Sequence, residues 1–120
     1  MLALQAGASG IIVSNHGGRI LDTMAASIRL LPAVAKAVNG AVPVLMDRGI
    51  RRGTDVLKAL ALGATAVLVG RQPVAGLTVA GAAGVSQVLR LLRDEFEIAM
   101  MLTGCASLDE ITPDIIYRNE

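Results

Sequence analysis

Residues 2–13, LALQAGASGIIV, recur as KALALGATAVLV at residues 58–69, fifty-six positions further along the chain. Each copy holds a helix end, a Gly-Ala corner and a short apolar run, and a third apolar run, Val42-Pro-Val-Leu-Met46, lies between them. That spacing is two turns of a βα cycle of about 25–30 residues, the rhythm of a parallel α/β architecture. An open doubly wound sheet and a barrel both fit this rhythm. Three strands cannot close a barrel, because eight βα units need about 250 residues. Barrel sequence of this length is therefore part of a barrel.

The runs Gly10–Ser14, Val42–Met46 and Ala66–Val69 are short, rich in β-branched residues and free of polar alternation, which predicts strands buried on both faces. Helical spacing predicts helices over Thr23–Val38, Thr54–Leu62 and Ala83–Leu102. Asp22 or Thr23 would cap the first, which stops at Asn39-Gly40; Gly63 and Gly104 would end the others. In the last helix Val85, Val88, Leu89, Leu92, Phe96 and Met100 are expected inside, with Arg90, Arg93, Asp94, Glu95 and Glu97 on a solvated face. Met24, Met46, Met100 and Met101 are expected as core filler, and Cys105 as a packed residue rather than a redox thiol.

Composition removes several function classes. A hydrophobic content of 53% excludes disorder, and a net charge of +1 gives no stripe to recruit nucleic acid. Aromatic residues are 2% of the chain, too few for a base-stacking platform. One cysteine makes no intrachain disulfide, and neither a CxxC nor a Cys/His cluster offers a metal site, so a reducing compartment is expected. Residues 1–18 carry no Lys or Arg and do not resemble a secretory signal; the C-terminus carries no peroxisomal tripeptide. A cytoplasmic location is the default expectation. Gln72 to Leu89 is uncharged, but its Gly, Ser, Thr, Gln and Pro content argues against a membrane span.

In either α/β architecture ligands bind at the carboxyl ends of the strands. That rule selects Ser14-Asn15-His16-Gly17-Gly18-Arg19, Asp47-Arg48-Gly49-Ile50-Arg51-Arg52-Gly53, and Gly70-Arg71. The last two turns together suit a phosphate: glycines admit backbone N–H groups to the oxygens, and arginines form charge-assisted bonds to a dianion. Asp47 would repel phosphate and is better suited to accept hydrogen bonds from ligand hydroxyls. His16 can take a proton near neutral pH and Arg19 can hold a carboxylate, a pairing suited to proton removal beside that carboxylate. The bland alternatives are a histidine that satisfies turn backbone and a solvated basic turn.

At these residues the sequence resembles a specific family. Ser14-Asn-His-Gly-Gly-Arg-Ile20 is similar to the active-site signature of the FMN-dependent 2-hydroxy-acid oxidases and dehydrogenases. The similarity continues through Asp47-Arg-Gly-Ile-Arg-Arg-Gly53, Lys58-Ala-Leu-Ala-Leu-Gly-Ala64, Gly70-Arg71 and Leu91-Leu-Arg-Asp-Glu-Phe-Glu97 to Leu102-Thr-Gly-Cys105. It implies the last third of a TIM barrel over residues 1–108, followed by a tail over 109–120. It also implies FMN as cofactor, a small (S)-2-hydroxy acid as substrate, and oxidation to the 2-oxo acid. His16 would be the catalytic base and Arg19 the carboxylate clamp. Ser14 would contact the flavin and Asp47 the ribityl chain, while Arg48, Gly49, Ile50, Arg51, Gly70 and Arg71 would form the phosphate turns.

Two residues depart from the family pattern. Ile20 stands where glutamine is usual, and Arg48 stands where the family's Asp-Gly-Gly has glycine. A positive φ at residue 48 would strain a non-glycine backbone. The family's earlier strands, with their flavin-binding lysine and substrate-binding tyrosines, are absent from these residues. A rival expectation is therefore an inactive remnant that keeps a phosphate half-site. Unpaired strand edges would then favour self-association or completion by the missing strands.

Overall fold

The computed structural model describes residues 2–117. The chain folds as α1 (Leu2–Gln5), β1 (Ile11–Val13), α2 (Ser27–Val38), β2 (Val44–Asp47), α3 (Gly53–Ala61), β3 (Ala66–Leu68) and α4 (Arg71–Leu102). Short 3-10 turns lie at His16–Gly18, Leu108–Glu110 and Pro113–Ile115. The three strands form one parallel sheet in the order β1-β2-β3.

The internal repeat is a repeat of backbone geometry. Gly7 and Gly63 both sit at positive φ, +83° and +102°. Their N–H groups donate to the carbonyls of Leu4 and Leu60, each at 3.0 Å, and the next residues, Ala8 and Ala64, donate to Ala3 and Ala59, again at 3.0 Å. This paired closure is the Schellman end of a helix, and it depends on a residue that tolerates a left-handed backbone. Gly104 ends α4 the same way, with Cys105 donating to Met100 at 2.9 Å. The corners at Gly7 and Gly63 feed β1 and β3, the two strands that flank β2, at equivalent points of their βα units.

Strand residues alternate between faces. Val13, Val44 and Met46 are buried against Leu31, Val38 and Ala59 of α2 and α3, with Val67 packed at the edge of this cluster. The opposite face carries Ile12, Leu45, Asp47, Ala66 and Leu68, neighbours in register across the sheet. Ile12 is 58% exposed and Leu68 40%. The expectation of strands buried on both faces is thus corrected: among the described residues, helices cover one face only. A second cluster joins Leu57 and Ala61 of α3 to Ala99 of α4, Cys105 and Ile111, with Ile115 and Ile116 packed against it. Cys105 is buried there, as expected of a packed thiol.

Three helix expectations change. α2 starts at Ser27, not at residue 23: Thr23 lies at φ +68°, and the buried Ser27 hydroxyl accepts the Asn15 N–H at 3.2 Å instead of leaving the start to Asp22 or Thr23. α3 begins one residue early, at Gly53. A helix missed by its apolar spacing covers 71–79, so Arg71 is helical rather than part of a turn; Pro73 is tolerated in a first turn. Ala80 and Gly81 leave helical geometry, and beyond them the chain continues as the expected last helix. α4 is long and apolar enough to cross a membrane by length and composition. The break folds it back so that Gly84 lies against the backbone of Gly76, where no Cβ would fit.

Met46 is core, but Met24 and Met101 are exposed, which corrects two of the four core methionines. Arg93 and Glu97 form an exposed pair at 2.7 Å, and the Glu97 carboxylate holds the Arg93 guanidinium above its ordinary range. Glu95, expected on the same solvated face, is instead half-buried and turned toward α3.

Candidate functional site

The three strand ends open on a pocket of about 970 Å³. Asp47, Arg48, Gly49, Ile50, Arg51, Gly70 and Arg71 all line it, so the second and third turns meet as expected. The first turn enters through Asn15 and Gly17; Ser14, His16 and Arg19 are not among its lining residues. The structure therefore brings the second and third turns together and leaves Ser14, His16 and Arg19 outside the pocket lining.

The first turn is held by its own side chains bonding its backbone. Ser14 Oγ accepts the His16 N–H at 3.1 Å, and Asn15 Oδ1 accepts the Gly17 N–H at 3.0 Å. His16, Gly17 and Gly18 all have positive φ, +52°, +69° and +70°, a run that glycine makes tolerable at two of the three positions. The His16 side chain is exposed, and so is Arg19. Ser27 ties this turn to α2 through its bond with the Asn15 N–H.

The second turn begins at the last residue of β2. Asp47 is half-buried, with Oδ2 3.4 Å from Arg48 Nε. Its Oδ1 is buried with no hydrogen-bond partner among the described residues. Arg48 lies at φ +67° and Gly49 at +79°, so the left-handed backbone that the sequence makes costly at residue 48 is present. Asp55 Oδ2 accepts the N–H groups of Arg51 and Arg52 at 3.0 and 3.1 Å, which occupies two donors of this turn. Ile50 points its side chain into the core, and its carbonyl accepts Gln72 Nε2 at 2.7 Å. That bond fastens the second turn to the first turn of α4.

Gln72, Asp55 and Lys58 line the pocket and were not singled out from the sequence. Asp55 carried a legible signal, an acidic residue in the first turn of a helix. Gln72 and Lys58 carried none, because their place depends on how α3 and α4 meet. Four cationic side chains, Arg48, Arg51, Lys58 and Arg71, face this pocket with the carboxylates Asp47 and Asp55. The balance favours an anionic ligand that also offers hydrogen-bond donors to Asp47. No group of three or more metal-ligating side chains occurs among the described residues.

Comparison with known proteins points the same way. A family model described as FMN-dependent dehydrogenase matches residues 1–118. The chain is 66% identical to an L-lactate oxidase of Roseobacter sp. over 110 residues and 62% identical to glycolate oxidase 1 of Zea mays over 111. Each alignment covers 92% of this chain and 30% of the relative. Among solved structures, a mandelate oxidase variant with a monooxide FMN adduct superposes with a TM-score of 0.88 at 53% identity, over 92% of this chain and 35% of that one. A lactate oxidase of Pediococcus acidilactici gives 0.89 at 48% identity, over 92% and 31%. The chain thus spans about a third of the length of the proteins it matches, and its three parallel strands are a portion of their barrel.

Proposed function

Because the chain belongs to the FMN-dependent dehydrogenase family, we propose that it forms the phosphate-binding and base-bearing part of a barrel that oxidises a small (S)-2-hydroxy acid to its 2-oxo acid. The observation that carries this reading is Asp47 Oδ1, a buried carboxylate oxygen without a hydrogen-bond partner among the described residues, in a pocket that Arg48, Arg51, Lys58 and Arg71 also line. Burying such an atom unpaired costs about 1–3 kcal/mol, which a ligand hydroxyl would recover. A phosphorylated polyol chain supplies both the hydroxyls and the anion, so the residues present fit FMN.

Bound FMN would take up the electron pair released when the substrate's hydroxyl-bearing carbon is oxidised. The chain's own residues do the rest. Asp47 accepts ribityl hydroxyls, and Gly49, Arg51, Gly70 and Arg71 hold the phosphate, with the turn kept in place by Gln72 and Asp55. Ser14 contacts the flavin. At the pocket margin Arg19 orients the substrate carboxylate, and His16 takes the proton lost during oxidation. The relatives named above are oxidases of lactate, glycolate and mandelate, which supports a small 2-hydroxy acid as the substrate class.

Turnover in this reading needs further strands beside β1 and β3. The bare sheet face, with Ile12 and Leu68 exposed, supports completion by such strands. The direct test is a titration of the 120-residue chain with FMN, followed through the flavin visible spectrum and fluorescence. A saturable spectral shift is expected, and it should disappear in Asp47→Ala. A spectrum identical to free FMN at all protein concentrations would refute the cofactor reading. Adding the remaining barrel strands and assaying lactate, glycolate and mandelate would then test the reaction.

A further inference from the structure

Two guanidinium groups converge over one glycine in the pocket. The position that a Cβ on Gly17 would take lies 3.8 Å from Arg48 Cδ, 3.9 Å from Arg48 Nε and 3.9 Å from a terminal nitrogen of Arg71. Because residue 17 has no side chain, this point is open, and it is bounded by cations from two different strand-end turns. Arg71 has no ion-pair partner among the described residues. Among the described residues the only carboxylate on Arg48 is its sequence neighbour Asp47, met through Nε, so the terminal nitrogens of Arg48 are left for another acceptor. Like charges brought to one point repel unless an anion sits between them.

Local stability does not account for Arg48. The residue is held at φ +67°, where glycine would be free of strain, and its partly exposed pair with Asp47 is of the kind that contributes little. Backbone strain of this sort clusters at ligand sites, where the surrounding structure holds it in place. We propose that Arg48 and Arg71 form a two-guanidinium clamp for a phosphate-class oxyanion, seated over the Gly17 backbone. The clamp deepens the phosphate reading of the same pocket, adding a residue that the backbone turns at Gly49 and Gly70 do not require. Its anion is either the phosphate of a bound flavin or a free phosphate, and both present oxygens to paired guanidinium forks.

The test compares the wild-type chain with Arg48→Gln, which removes the charge and keeps a side chain, and Arg48→Gly, which also relieves the backbone. Inorganic phosphate, FMN and riboflavin are titrated against each protein, with circular dichroism confirming that each is folded. Phosphate affinity is expected to fall about five- to tenfold in both variants and to recover in part in Arg48→Lys, while riboflavin affinity stays the same. If FMN affinity falls together with that of phosphate, the clamp holds the flavin phosphate. If phosphate affinity falls and FMN does not bind to any of the proteins, the clamp stands as a free-anion site and the cofactor reading fails by itself. Equal phosphate affinity in wild type and both variants, no phosphate binding, or tighter binding in the variants would overturn the clamp.

Discussion

Glu95, on α4, accepts the backbone N–H of Gly53 through Oε2 at 3.0 Å, and its Oε1 lies 3.6 Å from Arg52 Nε. One carboxylate of the long helix therefore closes the start of α3, directly after the turn that carries Arg48, Gly49 and Arg51. The approach is close because Gly53 has no side chain: the space a Cβ would need is filled by the backbone of Glu95 and Phe96. Backbone cannot rotate aside as a side chain does.

Gly53→Ala is accordingly expected to push α3 away from α4 and to destabilise the chain by about 2–3 kcal/mol, the range of overpacking against a rigid neighbour. Urea unfolding followed by circular dichroism measures this directly. An unchanged midpoint would mean that the two helices are not held at this distance in solution.

Removing the Glu95 carboxylate acts on the same junction without overpacking it. Glu95→Ala leaves the Gly53 N–H without its acceptor at a helix N-terminus and should cost about 1 kcal/mol. Glu95→Gln keeps an acceptor oxygen and loses only the charge, so its cost should be roughly half as large. Equal midpoints for wild type and Glu95→Ala would show that water replaces the carboxylate at no cost.

What could be read from the sequence follows the range of the interactions. The corners at Gly7 and Gly63 were legible because a Schellman end is local: one glycine and the preceding turn specify it. The strand-end turns were legible because residue type and position after an apolar run determine what reaches the ligand face. Glu95 was not, since helical spacing alone puts it among Arg93, Asp94 and Glu97, and its partner lies 42 residues away. Gln72 was missed for the same reason. The helix over 71–79 was obscured by Pro73, Gly76 and Thr78, which lower helix propensity while contacts with the rest of the fold override it. The start of α2 was misplaced because Ser27 bonds to another turn rather than to its own helix end.

Asp47 separates stability from binding. Its Oδ1, unpaired among the described residues, is a cost to the chain without ligand, so Asp47→Asn, which offers an amide in place of the buried charge, should leave the unfolding free energy from urea titration unchanged or raise it by about 1 kcal/mol. The same substitution should weaken FMN at least about tenfold, since the hydroxyl acceptor loses its charge. A variant that is less stable yet binds FMN normally would place Asp47 in the scaffold rather than in the ligand site.

His16 stands at the pocket margin on a turn of three left-handed residues, exposed, with its N–H held by Ser14 Oγ. Among the described residues the imidazole makes no hydrogen bond that holds the turn: Ser14, Asn15 and Ser27 fasten it by accepting backbone N–H groups, and His16 takes no part in either hydrophobic cluster. Its expected contribution is therefore chemical. In a barrel completed with the remaining strands, His16→Gln should lower kcat for 2-hydroxy-acid oxidation by about 10²- to 10⁴-fold, the usual contribution of a positioned base, while FMN affinity and the unfolding midpoint stay near wild type. Steady-state kinetics beside a flavin titration separates the two effects. Loss of flavin binding in step with kcat would show that the histidine maintains the pocket, and the proton would then have to go to another group.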